Sequence, residues 1–195
     1  QWNHRAPYAP VLVPRHLRLG VGGRIDSDGA EFEPLMASDV DLALATFKAE
    51  GVEAIAVGLF NSFVNDAHEV AVETAIRAGW DGEWVSRSAA LSPMMGEYER
   101  TSTAVINAYL SSRIVAYLRR LDDELRGMGL ARPILLVQSN GGAISVSQVA
   151  PRPVNLLLSG PAAAVGALNH YRRAIDGSGT VPGDSGNLIS MEIGG

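Results

Sequence analysis

The stretch Ile134-Leu-Leu-Val-Gln-Ser-Asn-Gly-Gly142 opens on an unbroken aliphatic run and stops abruptly in small, polar, loop-forming residues. Consecutive aliphatic residues suit a strand covered on both faces, and Asn140-Gly141-Gly142 can take positive φ and let backbone N–H groups approach a ligand. The stretch therefore reads as a strand delivering a loop, and the loop as a candidate site. A second apolar run, Leu156 to Leu158, breaks the same way into Ser159-Gly160-Pro161, ahead of an Ala-rich stretch from Ala162 to Leu168 that reads as the start of a helix. The two breaks can face one pocket, although each taken singly also has the form of an ordinary turn.

Upstream, Ala54 to Phe60 is apolar without alternation, the mark of a central parallel strand. Asn65 is placed to cap a helix from Asp66 to Ala78, and Glu83 to Ser86 reads as a short strand after it. Before Ala54, Ser38 and Asp41 form a capping-box pattern for a helix that runs to Glu50 and stops at Gly51. Strands alternating with helices predict an α/β fold, with a parallel pair formed by Ala54 to Phe60 and Glu83 to Ser86. Leu17, Leu19 and Val21 alternate with polar residues and glycines. Asp26-Ser-Asp-Gly29 then offers a turn before Glu31 to Leu35, a hairpin pattern. His68, in the first turn of its helix with no second histidine nearby, is expected to be a cap or surface residue.

From Glu97 a long helix is indicated, because Ile106, Leu110, Ile114, Tyr117, Leu121 and Leu125 recur three or four apart. Continuous to Arg126 it would be roughly 45 Å long, and Ser111-Ser112 can mark a break. Arg119, Arg120, Asp122, Asp123 and Glu124 fill its solvated face. At its start Glu97, Glu99 and Arg100 form a charged cluster that serves equally as a Glu–Arg structural pair or a site. Beyond it, Pro151 and Pro153 predict an extended segment, and the Gly- and Ser-rich stretch from Asp176 to Gly186 a flexible linker. The proline-rich residues Gln1 to Pro14 predict an extended arm.

Composition narrows the classes. The 195 residues carry 16 basic and 21 acidic side chains, a net charge of −5, with no basic cluster to neutralise a phosphate backbone, so nucleic acid is not an expected partner. The absence of cysteine removes disulfides, thiolate nucleophiles and Cys-based zinc sites together. The apolar runs are broken by Gly or Pro well short of the roughly 20 residues a membrane span needs. No membrane segment and a cytoplasmic location are therefore expected.

Several separated motifs carry a resemblance. QSNGG, then RPV, then LLSGPAAAVGA, then an apolar strand ending in Gly194-Gly195 follow in an order that resembles the A subunit family of ATP-dependent hydantoinases and 5-oxoprolinases. Glu97-Tyr-Glu-Arg-Thr-Ser-Thr103 with Asn107 to Leu110, and Gly51 to Val57 with Asn65 and His68-Glu69, fit the same family. The match runs from about Leu12 to the last residue, and QSNGG with EYERTST resembles the hydantoinase branch more than the 5-oxoprolinases.

The resemblance implies a lobe of an actin-like (ribonuclease H-like) ATPase. Residues 1–130 would form the later part of the family's N-terminal region, and 131–195 the start of its main domain. It implies ATP and Mg²⁺ as cofactors and a cyclic amide as substrate, activated by phosphoryl transfer to the ring carbonyl. A hydantoinase B-type subunit is implied as partner, within an oligomer. By the same resemblance Asn140, Gly141, Gly142, Ser159, Gly160, Glu192, Gly194 and Gly195 would approach the nucleotide, with Glu192 also at the metal. Arg100, Glu97 and Thr101 would be catalytic, Arg100 as a charge stabiliser. Glu192 stands where the family usually has Asp, and its extra methylene displaces the carboxylate from a metal that demands near-ideal octahedral geometry.

Beginning at Gln1 and ending where a phosphate loop would run on, the chain reads as an internal fragment, expected to be inactive alone. An ATP-dependent ketone carboxylase on the same scaffold and a non-catalytic assembly module are the alternatives.

Overall fold

The computed structural model describes residues 11–178 together with Met191 and Ile193. Expectations for residues 1–10, for the linker beyond 178 and for the closing strand lie outside the described residues. Asp176 to Ser178 belong to the last turn of a helix rather than to a linker. The chain divides into two compact units, Gln1–Ser112 and Arg113–Gly195. The division falls inside the long helical stretch.

The first unit opens with a 3₁₀ turn, Arg15–Leu17, and a hairpin of β1 (Arg24–Ile25) and β2 (Glu31–Glu33). Asp26 makes the hairpin turn, its Oδ1 accepting the N–H groups of Asp28 at 2.9 Å and Ala30 at 2.8 Å. The turn lies where the sequence places it. The alternation from Leu17 to Val21 forms no strand, because that segment instead crosses to α1 (Ala37–Ala49), where the Gly22 N–H donates to Asp39 Oδ2 at 2.8 Å. Neither Ser38 nor Asp41 caps α1, which has no side-chain cap.

β3 (Ala54–Val57) runs parallel to β4 (Trp84–Arg87) in the register Ala54 beside Trp84 to Val57 beside Arg87, with α2 (Ala67–Gly79) as the crossover. The expected parallel pair is present. Ile55 and Val57 meet Val40 and Leu44 of α1, Val72 and Ile76 of α2 and the Trp80 that follows it in one buried cluster. Each such aliphatic side chain contributes about 1.5–3 kcal/mol relative to exposure. The opposite face, Ala56 and Ser86, is covered by α4 (Glu97–Leu110), which follows the short α3 (Ser88–Leu91). With helices on both faces the pair is covered as a parallel sheet requires.

The buried line of α4 runs through Ala104, Asn107 and Ala108. It is not the larger aliphatic stripe, of which Tyr117 is exposed. Small side chains let the helix lie close on the strands, and Asn107 Nδ2 donates to Ser86 Oγ at 3.0 Å. The expected break is a π turn, Ser111–Val115, beside which Ser111 Oγ donates to Asn107 O at 2.8 Å.

In the second unit α5 (Ala116–Gly127) is followed by the hairpin β5 (Leu135–Val137) and β6 (Ala143–Ser145), then α6 (Val146–Val149). Next come a 3₁₀ turn, Pro153–Leu156, and α7 (Ser159–Ser178). Leu118, Val146 and Val149 centre a core that Leu136, Ile144 and Leu156 join. The expectation of a strand covered on both faces is corrected here, since Leu135 is 64% and Val137 40% exposed. Among the described residues β5 pairs with β6 alone, and the core takes only the face that carries Leu136. Pro153 starts a helical turn rather than an extended segment, a position its fixed φ suits. Among the described residues no helix is long and apolar enough to cross a membrane.

Candidate functional site

At the carboxyl ends of β3 and β4, the edge where open α/β sheets generally bind ligands, the structure places a closed polar network. Glu69, fully buried in the first turn of α2, accepts four hydrogen bonds. They come from Leu59 N–H at 3.0 Å, Ser62 Oγ at 2.8 Å, Ala89 N–H at 2.9 Å and, shortest of all, Ser88 Oγ. Ser88 Oγ in turn accepts from Arg100 Nε at 2.9 Å. The guanidinium, 1% exposed, also donates to Leu59 O at 2.7 Å and Met94 O at 3.2 Å and lies 5.6 Å from the centre of the Phe63 ring. A buried carboxylate and a buried guanidinium are thus joined through a serine, and none of their buried polar atoms lacks a partner.

This arrangement changes the reading of the charged cluster. Arg100 turns inward and has neither Glu97 nor Glu99 as a partner among its hydrogen bonds; both glutamates are exposed. Thr101 packs on Gly58 so closely that a Cβ there would lie 2.5 Å from Thr101 Oγ1, which is why the strand exit carries glycine. Arg100, Glu97 and Thr101 therefore do not converge. The acid that matters to Arg100 is Glu69, and the sequence held its signal. Glu69, Val72 and Ile76 are spaced three and four apart, on the one face of α2 that is buried. His68 is buried rather than superficial, its Nε2 2.7 Å from Glu31 Oε1, tying α2 to the first hairpin.

The Gln138 to Gly142 turn is compact and, beyond the buried Gln138, exposed. Gly141 N–H donates to Gln138 O at 2.9 Å, Gly142 N–H to Asn140 Oδ1 at 2.8 Å, and Gln138 N–H to Gly142 O at 2.8 Å. Gly141, not Gly142, holds the positive φ, +82°. Both glycine N–H groups are consumed inside the turn, so neither is available to a phosphate in this conformation. The turn is joined to the second apolar break, because Ser139 N–H donates to Asn155 O at 2.7 Å. There Leu158 takes φ +59° and α7 begins. The first turn of α7 leaves the Ser159 and Gly160 N–H groups without intrahelical partners, and an added Cβ at Gly160 would meet nothing. Of the described residues expected to approach the nucleotide, these two lie where helix geometry leaves backbone N–H groups free of intrahelical bonds.

Glu192, Gly194 and Gly195, the expected metal and phosphate positions, lie outside the described residues. Among the described residues no group of three His, Asp or Glu could hold a metal ion. In the second unit Arg119, Asp122, Asp123 and Arg126 border an open groove with Ser145 and Ser147. Asp122 accepts Arg126 Nε at 2.8 Å, a hydrogen bond that raises the Arg126 pKa, and the groove presents paired surface charge.

Comparison with known proteins agrees with the motifs. The family model for the hydantoinase/oxoprolinase N-terminal region matches residues 2–79, and that for hydantoinase/oxoprolinase matches residues 100–195. The caprolactamase subunit alpha of Pseudomonas jessenii is 40% identical over 158 residues, 81% of this chain and 23% of that one. The crystal structure of the ATP-dependent caprolactamase from the same organism superposes with a TM-score of 0.78 at 39% identity, covering 84% of this chain and 24% of that one. The acetophenone carboxylase gamma subunit of Aromatoleum aromaticum is 33% identical over 181 residues, 90% of this chain and 24% of that one. The chain thus spans about a quarter of the length of these relatives. With both family regions matched in order and the fold shared with a solved relative, the chain belongs to the hydantoinase/oxoprolinase family.

Proposed function

We propose that this chain is part of the A-type subunit of an ATP-dependent cyclic amide hydrolase. The observation that carries the reading is the 40% identity to a caprolactamase subunit alpha, spread over 81% of the chain. ATP would supply the phosphoryl group that makes the ring carbonyl carbon electrophilic. The described chain would contribute the first turn of α7, where Ser159 and Gly160 can hold an anion, and the saturated Glu69–Ser88–Arg100 network, which fixes the carboxyl edge of the parallel pair. Arg100 is in this reading a positioning residue. Glu192 with Gly194 and Gly195 would serve the metal and a second phosphate contact, as the family motif implies. A partner subunit fits the reading, since the relatives are themselves named as subunits.

The test is phosphate release by the whole protein with its partner subunit, magnesium and a panel of hydantoin, 5-oxoproline and a lactam. Release that depends on a cyclic amide supports the proposal. Similarity to the acetophenone carboxylase gamma subunit favours a second reading, and release that requires a ketone plus bicarbonate instead would establish it.

A further inference from the structure

Asn140 is the single asparagine of eight that a glycine follows; the others precede His, Ser, Asp, Ala or Leu. Glycine puts no side chain beside its own main-chain nitrogen, the atom that can close onto the preceding asparagine Cγ to make a cyclic imide.

The turn favours that closure. Gly142 N–H donates to Asn140 Oδ1 at 2.8 Å, which folds the side chain back over the Asn140–Gly141 peptide. The same donor stands on the oxygen that gains negative charge when Cγ is attacked. Among the described residues no hydrogen bond holds Asn140 Nδ2, the nitrogen that would leave. Elsewhere that nitrogen is tied down. Asn61 Nδ2 donates to Ile25 O at 3.0 Å, Asn65 Nδ2 to Gly29 O at 2.7 Å and the buried Asn107 Nδ2 to Ser86 Oγ at 3.0 Å. Ser139 to Gly142 are exposed, so water reaches the tip. One restraint opposes attack, the Gly141 N–H bond to Gln138 O at 2.9 Å. A single turn bond at an exposed tip can open while the β5–β6 ladder stays paired.

We propose that Asn140 is a site of spontaneous deamidation in the folded protein. Gly141 N gives up its proton to water and bonds to Asn140 Cγ. The Cγ–Nδ2 bond breaks, and the amide nitrogen leaves as ammonia with a proton taken from water. Water then opens the imide. Opening at Cγ leaves aspartate, and opening at the main-chain carbonyl leaves isoaspartate, in which the chain runs through Cγ. In sum one water is consumed and one ammonia released, with no electron transfer. Aspartate still offers an oxygen to Gly142 N–H and keeps the turn, with a negative charge added. Isoaspartate inserts an extra carbon into the main chain inside the turn, which draws Gly141 N–H from Gln138 O and Gln138 N–H from Gly142 O. The first product changes the charge of the loop, and the second loosens the hairpin.

The experiment incubates the whole protein in mildly alkaline buffer. Isoelectric focusing follows the charge variants, mass spectrometry their peptides, and enzymatic methylation marks isoaspartate. The wild type accumulates a more acidic form modified at Asn140, faster than at any other asparagine by about tenfold or more. Asn140→Gln, whose longer side chain would have to close a larger ring, abolishes that form. Asn140 left intact overturns the proposal, whether or not another asparagine reacts. An acidic form that accumulates unchanged in Asn140→Gln overturns it too. Reaction at Asn140 in urea-unfolded protein but not in folded protein also overturns it, because the turn then protects the side chain.

Discussion

Glu69 and Arg100 share no direct hydrogen bond, yet Ser88 Oγ serves both, donating to the carboxylate and accepting Arg100 Nε at 2.9 Å. One hydroxyl thus aligns a buried acid on α2 with a buried base on α4.

Replacing Arg100 by Met leaves Met94 O without its side-chain donor, Leu59 O with only the Ser62 donor, and Glu69 without its indirect counter-charge. Breaking a buried charged network from one side costs on the order of 3–5 kcal/mol. Urea unfolding should show that loss, and a change below about 1 kcal/mol would mean the network is dispensable. A double-mutant cycle of Glu69→Gln with Arg100→Met should give a coupling energy of about 0.5–3 kcal/mol, although the two side chains are not in contact.

Gly141→Ala should destabilise by about 1–2 kcal/mol, because φ +82° disfavours a side chain. Gly142→Ala should cost less, since its Cβ would meet Asn140 Oδ1 at 3.1 Å without a left-handed backbone. Midpoints of thermal unfolding compare the two. A larger loss at Gly142 would contradict the observed turn.

Gly58→Ala drives a methyl into Thr101 Oγ1 and should destabilise by about 1–3 kcal/mol, as overpacking does. Adding Thr101→Ala should recover part of the loss. Strictly additive effects of the two changes would show that they are not neighbours in solution.

Glu73 supplies a pH dependence. Burial pushes its pKa up, but hydrogen bonds from Arg77 and Arg87 outweigh burial and hold it below the usual carboxylate value of 4.5. A depressed folded pKa means stability that is present above the unfolded value and lost as pH falls through the folded one. Stability measured by urea should therefore decline as acid is added below about pH 4.5, and Glu73→Gln should shallow that decline. An unchanged slope in the variant would assign the acid sensitivity to other carboxylates.

The parallel pair was legible because uninterrupted aliphatic residues at Ala54 to Val57 are followed by a helix and a second short strand, a pattern that admits few topologies. The Asp26 turn and the π break at Ser111 were legible because local side-chain hydrogen bonds make them. What misled was context. Leu135 and Val137 have the composition of a doubly covered strand, but only one face is covered among the described residues. Ser38 and Asp41 have the spacing of a capping box, but α1 starts one residue earlier, at Ala37, and has no side-chain cap. At the candidate site the conspicuous Glu97, Glu99 and Arg100 drew attention to sequence neighbours. The partners of Arg100 are brought by the fold from Leu59, Ser88 and Met94, a convergence that spacing along one helix does not encode.

That convergence also imposes an order on folding. Leu59, Ser62, Glu69, Ser88 and Arg100 come from separate loops and helices, and a partly gathered set would strand a carboxylate or a guanidinium in a dry interior. Docking α4 is what brings Arg100 to this network, so the first unit is expected to gain its last stability when that helix closes on the strands. Contacts made that late speed unfolding when weakened while leaving the folding rate nearly untouched.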